Sequence, residues 1–430
     1  MMRILEYPSS DASDFLRRLA HRGGWEDEAL LQSVRDTIAR VRREGDAALL
    51  DITRQRDAVS GTFDRLRLAE EEVERAYAHV SAQFLEALRL AAANIRRFHE
   101  RQRPNSWMTS DTDGVVLGQL FFPLERVGIF CPPRLFSSLL MIAIPARVAG
   151  VREIVAAIPP LSDGRIHPTM LVAARECGVE EIYAVSGVPA VAALAYGTET
   201  IRRVDKVTGP GGPHIQLAKK EVVGVVGIDR LAGPSEVLII ADDTAVPAWV
   251  AADLISQAEH GEHSSAILVT TDAGVAECVA QQMEARVSSL PRADLVRASV
   301  ARYGGCLVVP DMEAAVRVAN EVAPEHAEVH ARDALQVAVR LRHAGAVFVG
   351  GHTPEAVGDY AAGPSHVLPT GGTARFYSSL AVQDFVKSTN LLAYTQPALD
   401  RVAEAVVTLA HAEQLDGHAD AVVARRTDTS

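Results

Sequence analysis

A glutamine and a histidine three residues apart, Gln257 and His260, close the apolar-periodic segment Leu254-Ile255-Ser256-Gln257-Ala258-Glu259-His260-Gly261. On a helix that spacing puts an amide and an imidazole on one face, and Gly261 reads as the C-cap that stops the helix just after them. A metal ion can be held between two such groups, although a pair of this kind is more often a solvated one and an amide is a weak zinc ligand. Further metal-type residues lie far off along the chain. They are Asp359, in HTPEAVGDYAAGPSHVLPT, and His418, in AEQLDGHADAV, with His263, His352 and His366 competing on the same grounds.

Glu325-His326, in VAPEHAEVH, is the strongest pair for acid/base work: a carboxylate beside an imidazole, after a proline that fixes the approach. Histidine suits proton transfer near neutral pH. The same two residues also read as a solvated polar turn. Thr208-Gly209-Pro210-Gly211-Gly212-Pro213 sits where a phosphate cradle would, between a short strand and a helix. It does not match GxGxxG, and its prolines remove backbone donors, so a plain turn accounts for it equally well.

These residues need a large scaffold. At 430 residues the chain is long enough for several domains, and with 48% hydrophobic and 23% charged residues it is globular in composition. A net charge of -12 without a long basic cluster argues against nucleic-acid binding. Cys131, Cys177, Cys278 and Cys306 are scattered and form no CxxC pair, which excludes a cysteine zinc knuckle and favours a reducing compartment. No apolar run approaches the length needed to cross a bilayer, and the start of the chain lacks a signal pattern. The expectation is a cytoplasmic protein with no membrane or nucleic-acid partner.

Along the chain, Ala29, Leu30, Val34 and Ile38 begin a helical region, and a longer helix is expected from about Ala69 to the stop at Pro104. From Gly114 onward short β-rich runs such as Arg126–Phe130 and Ile154–Ile158 alternate with alanine-rich helices, the texture of βαβ units. The alternation occurs twice, with a break at Leu231-Ala232-Gly233-Pro234-Ser235 and no sequence repeat. The expected fold is α/β with two incomplete Rossmann-like domains. Residues 1–113 form a helical region, 114–235 the first α/β domain, 236–380 the second with the metal and acid/base residues, and 381–430 a helical C-terminal arm.

Taken together, DLISQAEHGEHSSAILVT, VAPEHAE, TPEAVGDYAAGPSHVLPTGGTARF and VGIDRLAGPSE resemble the histidinol dehydrogenase family, and the likeness runs through PLERVGIF and IPARVAGV to AEQLDGHADAV. The family oxidises L-histidinol to L-histidine through the aldehyde with two NAD per turnover, the last step of histidine biosynthesis. The resemblance implies that Gln257, His260, Asp359 and His418 ligate one zinc ion, which also holds the substrate. It implies substrate contacts from Ser235, His326 and Glu413, with His326 as general base and Glu325 activating water. It further implies a homodimer in which the C-terminal segment, with Glu413 and His418, reaches the partner's site.

The chain departs from the family where NAD is held. The family's tyrosine after PLERVGI is Phe130, and the glycine-paired YVPGG loop is replaced by Cys131-Pro132-Pro133-Arg134-Leu135-Phe136-Ser137-Ser138, about three residues shorter. An expected glutamine is Pro189, and the asparagine of GPGN is Gly212. Three lost polar contacts, each worth roughly 0.5 to 1.5 kcal/mol, weaken NAD binding by about one to three orders of magnitude unless something such as Arg134 compensates. The alternative expectation is therefore a zinc-dependent non-redox paralogue, a lyase, hydrolase or epimerase. A non-catalytic zinc-stabilised binding module is a third reading, disfavoured by Glu325, His326 and Glu413, which a structural metal does not need.

Overall fold

The computed structural model describes residues 2–20, 27–60, 63–110 and 113–426. Its strands are β1 (Ile4–Glu6), β2 (Trp107–Ser110), β3 (Val115–Pro123), β4 (Arg126–Phe130), β5 (Glu153–Ala157), β6 (Glu181–Tyr183), β7 (Lys206–Thr208), β8 (Gly227–Ile228), β9 (Glu236–Ala241), β10 (Ser265–Thr270), β11 (Gly305–Val308), β12 (His326–His330), β13 (Ala346–Val349) and β14 (Val386–Tyr394). The chain divides into two compact units, one of residues 1–102 and 124–384, the other of 103–123 and 385–430.

The larger unit carries two parallel sheets. The first has the order β6-β5-β4-β7-β8 and the second β1-β11-β10-β9-β12-β13. Leaving β1 aside, each runs third-second-first-fourth-fifth in chain order, the half-Rossmann arrangement whose strand order reverses beside its first strand. The fold is thus the α/β one expected, with two incomplete Rossmann-like sheets.

The apolar runs explain why these strands are central. β9 and β10 are buried at every position. Val237, Ile239 and Ala241 point into one core, and Leu238 and Ile240 into the core on the opposite face. That alternation is the period of two expected of a strand with helices on both faces.

Four local expectations need correction. The segment from Ala69 to Pro104 is not one helix: Ser81 caps a new one, accepting the Phe84 N–H at 3.1 Å, so helices Glu70–Ala76 and Ala82–His99 are separate. The N-terminal region is not wholly helical, because β1 pairs with β11 across some 300 residues and so joins the second sheet. The C-terminal segment does not begin as helix. Val386–Tyr394 pairs antiparallel with β3, and only then come helices Gln396–Ala412 and Asp416–Val423. Finally, Gly261 is not a left-handed cap, since the Pro247–Ala258 helix ends on Glu259 in right-handed backbone.

The smaller unit is an antiparallel sheet of order β14-β3-β2 together with the two C-terminal helices. Among the described residues no helix is long and apolar enough to cross a membrane.

Candidate active site

A cavity of about 770 Å³ lies in the larger unit, lined from the first sheet by Pro132, Ser138 and Gly209–Pro213 and from the second by Ser235, Glu325 and His326. On the first sheet these residues follow the carboxyl ends of β4 and β7, the strands that flank the reversal of strand order. On the second they sit at the amino ends of β9 and β12. Gly209 makes the approach possible. Its φ of +127° is left-handed, and a Cβ there would collide with the Phe130 carbonyl.

His326 opens β12 and is buried. Its Nδ1 lies 3.1 Å from the Glu236 carbonyl oxygen, which can only accept, so Nδ1 carries the proton and Nε2 keeps a free lone pair. Burial pushes its pKa down to about 4, against a smaller upward pull from Asp359. The imidazole is neutral at physiological pH and ready to take a proton. Glu325, next in the chain, accepts the Glu236 N–H at 3.0 Å and approaches His326 Nδ1 to 3.7 Å. The dyad expected from sequence is therefore a buried pair and not a solvated turn.

Beside it His260, Glu355 and Asp359 offer ligand atoms that all lie within 4.8 Å of one another. His260 lies just beyond its helix, exposed, with Nδ1 donating to the Ser256 carbonyl at 3.0 Å, which leaves Nε2 for a metal. Gln257 is fully buried one turn earlier. Its amide orientation is set by its neighbour: with Nε2 turned to Glu355 it donates to the two carboxylate oxygens at 2.9 and 3.1 Å, and Oε1 faces away from that carboxylate.

Glu355 escaped sequence reasoning. It precedes Asp359 by four residues on the Glu355–Tyr360 helix, a spacing that puts both carboxylates on one face and was the available signal. Burial raises its pKa well above the usual carboxylate range, with the negative charges of Asp359, Glu325, Glu328 and Asp253 adding to the effect. One imidazole, one amide and a cluster of carboxylates in partial burial make a donor set that a divalent cation such as zinc would neutralise, so these residues fit a metal.

The other expected residues are distributed as follows. Ser235 lines the cavity. His366 also lines it, between the Asp359 carbonyl at 3.1 Å and Ser138 Oγ at 3.2 Å. His263 lines the rim, exposed, with its ring 6.2 Å from that of Tyr303. His352 is engaged elsewhere, against the Trp249 ring. Glu413 and His418 belong to the smaller unit, where both are exposed, Glu413 at the end of the Gln396–Ala412 helix and His418 on Asp416–Val423.

The three positions at which the sequence resemblance implies NAD contacts differ in kind. Phe130 and Pro189 are buried, whereas Gly212 is exposed at the cavity, with nothing within 4 Å of where a Cβ would stand. Arg134, in the shortened loop, is exposed and holds a φ of +69°, a left-handed backbone of the sort a glycine adopts freely.

Comparison with known proteins shows the family. The family model described as histidinol dehydrogenase matches residues 20–426. A histidinol dehydrogenase from Syntrophotalea carbinolica is 46% identical over 432 residues, covering 100% of both chains. One from Moorella thermoacetica is 49% identical over 401 residues, covering 93% of this chain and 95% of its own. The crystal structure of histidinol dehydrogenase from Elizabethkingia anophelis superposes with a TM-score of 0.93 at 35% identity, over 99% of this chain and 98% of that one. With a matching family model, full-length relatives and a shared fold, the chain belongs to the histidinol dehydrogenase family of oxidoreductases.

Proposed function

We propose that this chain is a cytoplasmic, zinc-dependent enzyme that oxidises L-histidinol, or a close amino-alcohol analogue, to the acid through the aldehyde with NAD, the last step of histidine biosynthesis. The observation that carries the reading is a neutral, buried base, His326, in one cavity with the donor cluster of His260, Glu355 and Asp359. Family membership supports it over a non-redox paralogue.

His326 does the proton work. Its Nδ1–H is tied to the Glu236 carbonyl, so Nε2 takes the hydroxyl proton as hydride leaves the carbinol carbon. A pKa pushed down to about 4 lets it release that proton again before the second oxidation. Glu325, with one oxygen held by the Glu236 N–H, has the carboxylate chemistry to draw a proton from water attacking the aldehyde, which gives the hydrate that is oxidised next. Zinc, held by His260, Asp359 and Gln257, would supply a template for the substrate's imidazole and amine. NAD would supply the hydride acceptor, and the crevice between β4 and β7 is the place such a sheet offers it.

Two ligating or binding side chains in this reading, His418 and Glu413, come from a partner subunit of a homodimer. The exposed apolar residues Met108, Leu392 and Leu409 of the smaller unit support a second copy as their cover.

The test is titration of zinc-loaded protein with NAD, then absorbance at the NADH band with histidinol present. Two NADH per histidinol are expected. Absence of NAD binding at millimolar concentration would move the assignment to the non-redox alternative.

A further inference from the structure

Outside the lining of the cavity, among the described residues, is a second group of ligand-type side chains that the proposed reaction does not use: Asp253, Glu328 and His330. Glu328 and His330 are buried on β12, and alternation along a strand puts both on the same face as His326. Asp253 stands on the Pro247–Ala258 helix one turn before Gln257. Within the cluster His330 Nε2 donates to Glu328 Oε2 at 3.2 Å and lies 3.8 Å from Asp253.

The remaining oxygen of Glu328 reaches a third element. Oε1 accepts the backbone N–H of Glu355 at 3.1 Å. Glu355 opens a helix of six residues whose N-cap is Pro354, with no side-chain cap of its own. A proline cap offers no hydroxyl or carboxylate to the first-turn N–H groups, and a buried N–H without an acceptor costs about 1 to 3 kcal/mol. A strand carboxylate thus takes the place of a local cap.

We propose that Glu328 is a positioning residue: its buried carboxylate fixes the start of the Glu355–Tyr360 helix, and with it Glu355 and Asp359, to the strand that carries His326. Through Glu355 the constraint extends to Gln257, whose amide that carboxylate orients. The junction sets the register of metal ligands and base without touching substrate. It rests on the zinc assignment made above.

Two replacements of similar volume separate hydrogen bonding from packing. Glu328→Met removes the acceptor, and Glu328→Gln keeps one amide oxygen to accept the Glu355 N–H while its amide nitrogen faces His330, whose Nε2 accepts in the other tautomer. Zinc affinity is read by competition with a chromophoric chelator, fold by thermal melting, and turnover with histidinol and NAD. The Met variant is expected to lose about 10- to 100-fold in zinc affinity, the range for outer-shell changes at metal sites, with kcat falling more than KM rises. The Gln variant is expected to stay within about threefold of the parent, as such near-isosteric amides keep the bond.

A folded Met variant with parental zinc affinity overturns the proposal. So does a folded Gln variant that loses about 10-fold or more in zinc affinity, a result that holds whether or not the Met chain folds. Parental protein that binds zinc but leaves histidinol unoxidised sinks the functional reading alone, because the zinc comparison still stands or falls by itself.

Discussion

Replacing Gly358 by alanine tests whether the Glu355–Tyr360 helix, which carries the proposed metal ligand Asp359, is seated as tightly as the structure has it. A Cβ at this position would stand 2.6 Å from Cε1 and 2.8 Å from Cζ of Phe348. Carbon atoms in contact settle at about 3.5 to 4.0 Å, so roughly 1 Å of space must be found. The ring is poorly placed to give way. Phe348 is buried on β13, and its centroid is 5.9 Å from that of His326. Either the Glu355–Tyr360 helix retreats with Asp359, or the ring presses on the base.

Helix propensity favours alanine by about 1 kcal/mol, while overpacking costs about 1 to 3 kcal/mol, so the net loss of stability is small, at most about 2 kcal/mol. Catalysis is the more sensitive quantity, because a misplacement of about 1 Å costs on the order of 100-fold. The expected result is a melting temperature lowered by a few degrees, a kcat for histidinol down by about two orders of magnitude, and weaker zinc binding in chelator competition. Phe348→Leu in the same chain should restore most of the activity by vacating the space. A Gly358→Ala enzyme with kcat within threefold of the parent and unchanged zinc affinity would refute the claim that this helix and this ring hold the site.

For the metal itself, His260→Ala and Asp359→Ala are each expected to abolish zinc retention and activity, and His263→Ala to do neither; equal zinc content in all three by elemental analysis would remove the assignment. Stability should depend on pH through Asp253, whose pKa is raised to about 7 by burial first and then by the charge of Glu328. The folded chain therefore keeps a proton that the unfolded chain releases near pH 4, and this group's contribution is full below pH 4 and lost as pH rises to about 7. A rise from 3.8 to about 7, at about 1.36 kcal/mol for each pH unit, bounds the effect at about 4 kcal/mol. Urea unfolding at pH 5 and pH 8 should show Asp253→Asn losing less stability between the two than the parent does, and parallel slopes would disprove this role.

How much of this is legible in the sequence depends on how local each signal is. Gln257, His260 and the Glu325-His326 pair announce themselves, because each lies within one turn or one dipeptide and inside a recognisable motif. The repeated strand-helix alternation is likewise readable, since β9 and β10 are uninterrupted apolar runs. Glu355 stays hidden although it precedes Asp359 by one turn. Its helix is six residues long, proline-capped and without an apolar stripe, so nothing local marks it as a helix. β14 reads as part of a helical tail because its nine residues lack a clean alternation and its pairing is with β3, some 270 residues away. β1 is three residues long and likewise owes its state to a distant partner. In these strands tertiary pairing decides, not local propensity.

The two sheets share a strand order but present opposite ends to the cavity, and that difference underlies the division of labour proposed for them. In doubly wound sheets a ligand crevice opens outside the carboxyl ends of the strands where the order reverses. The first sheet keeps this crevice between β4 and β7, with Gly209 letting the two loops approach. In the second sheet the equivalent place, between β9 and β12, is stitched shut. Asp242, just past β9, donates its N–H to the His330 carbonyl at 3.2 Å, and its carboxylate accepts the Arg332 N–H at 2.8 Å. The buried pair proposed for the chemistry lies at the amino ends of the same strands, where Glu236 offers one backbone group to each member, its N–H to Glu325 and its carbonyl to His326. Because β12 lies between β9 and β13, its first residue is buried by neighbours on both sides, and the low pKa of His326 follows from that position. A base of the same residue type placed at the open carboxyl edge would meet water, titrate near its ordinary value and spend part of the physiological range protonated.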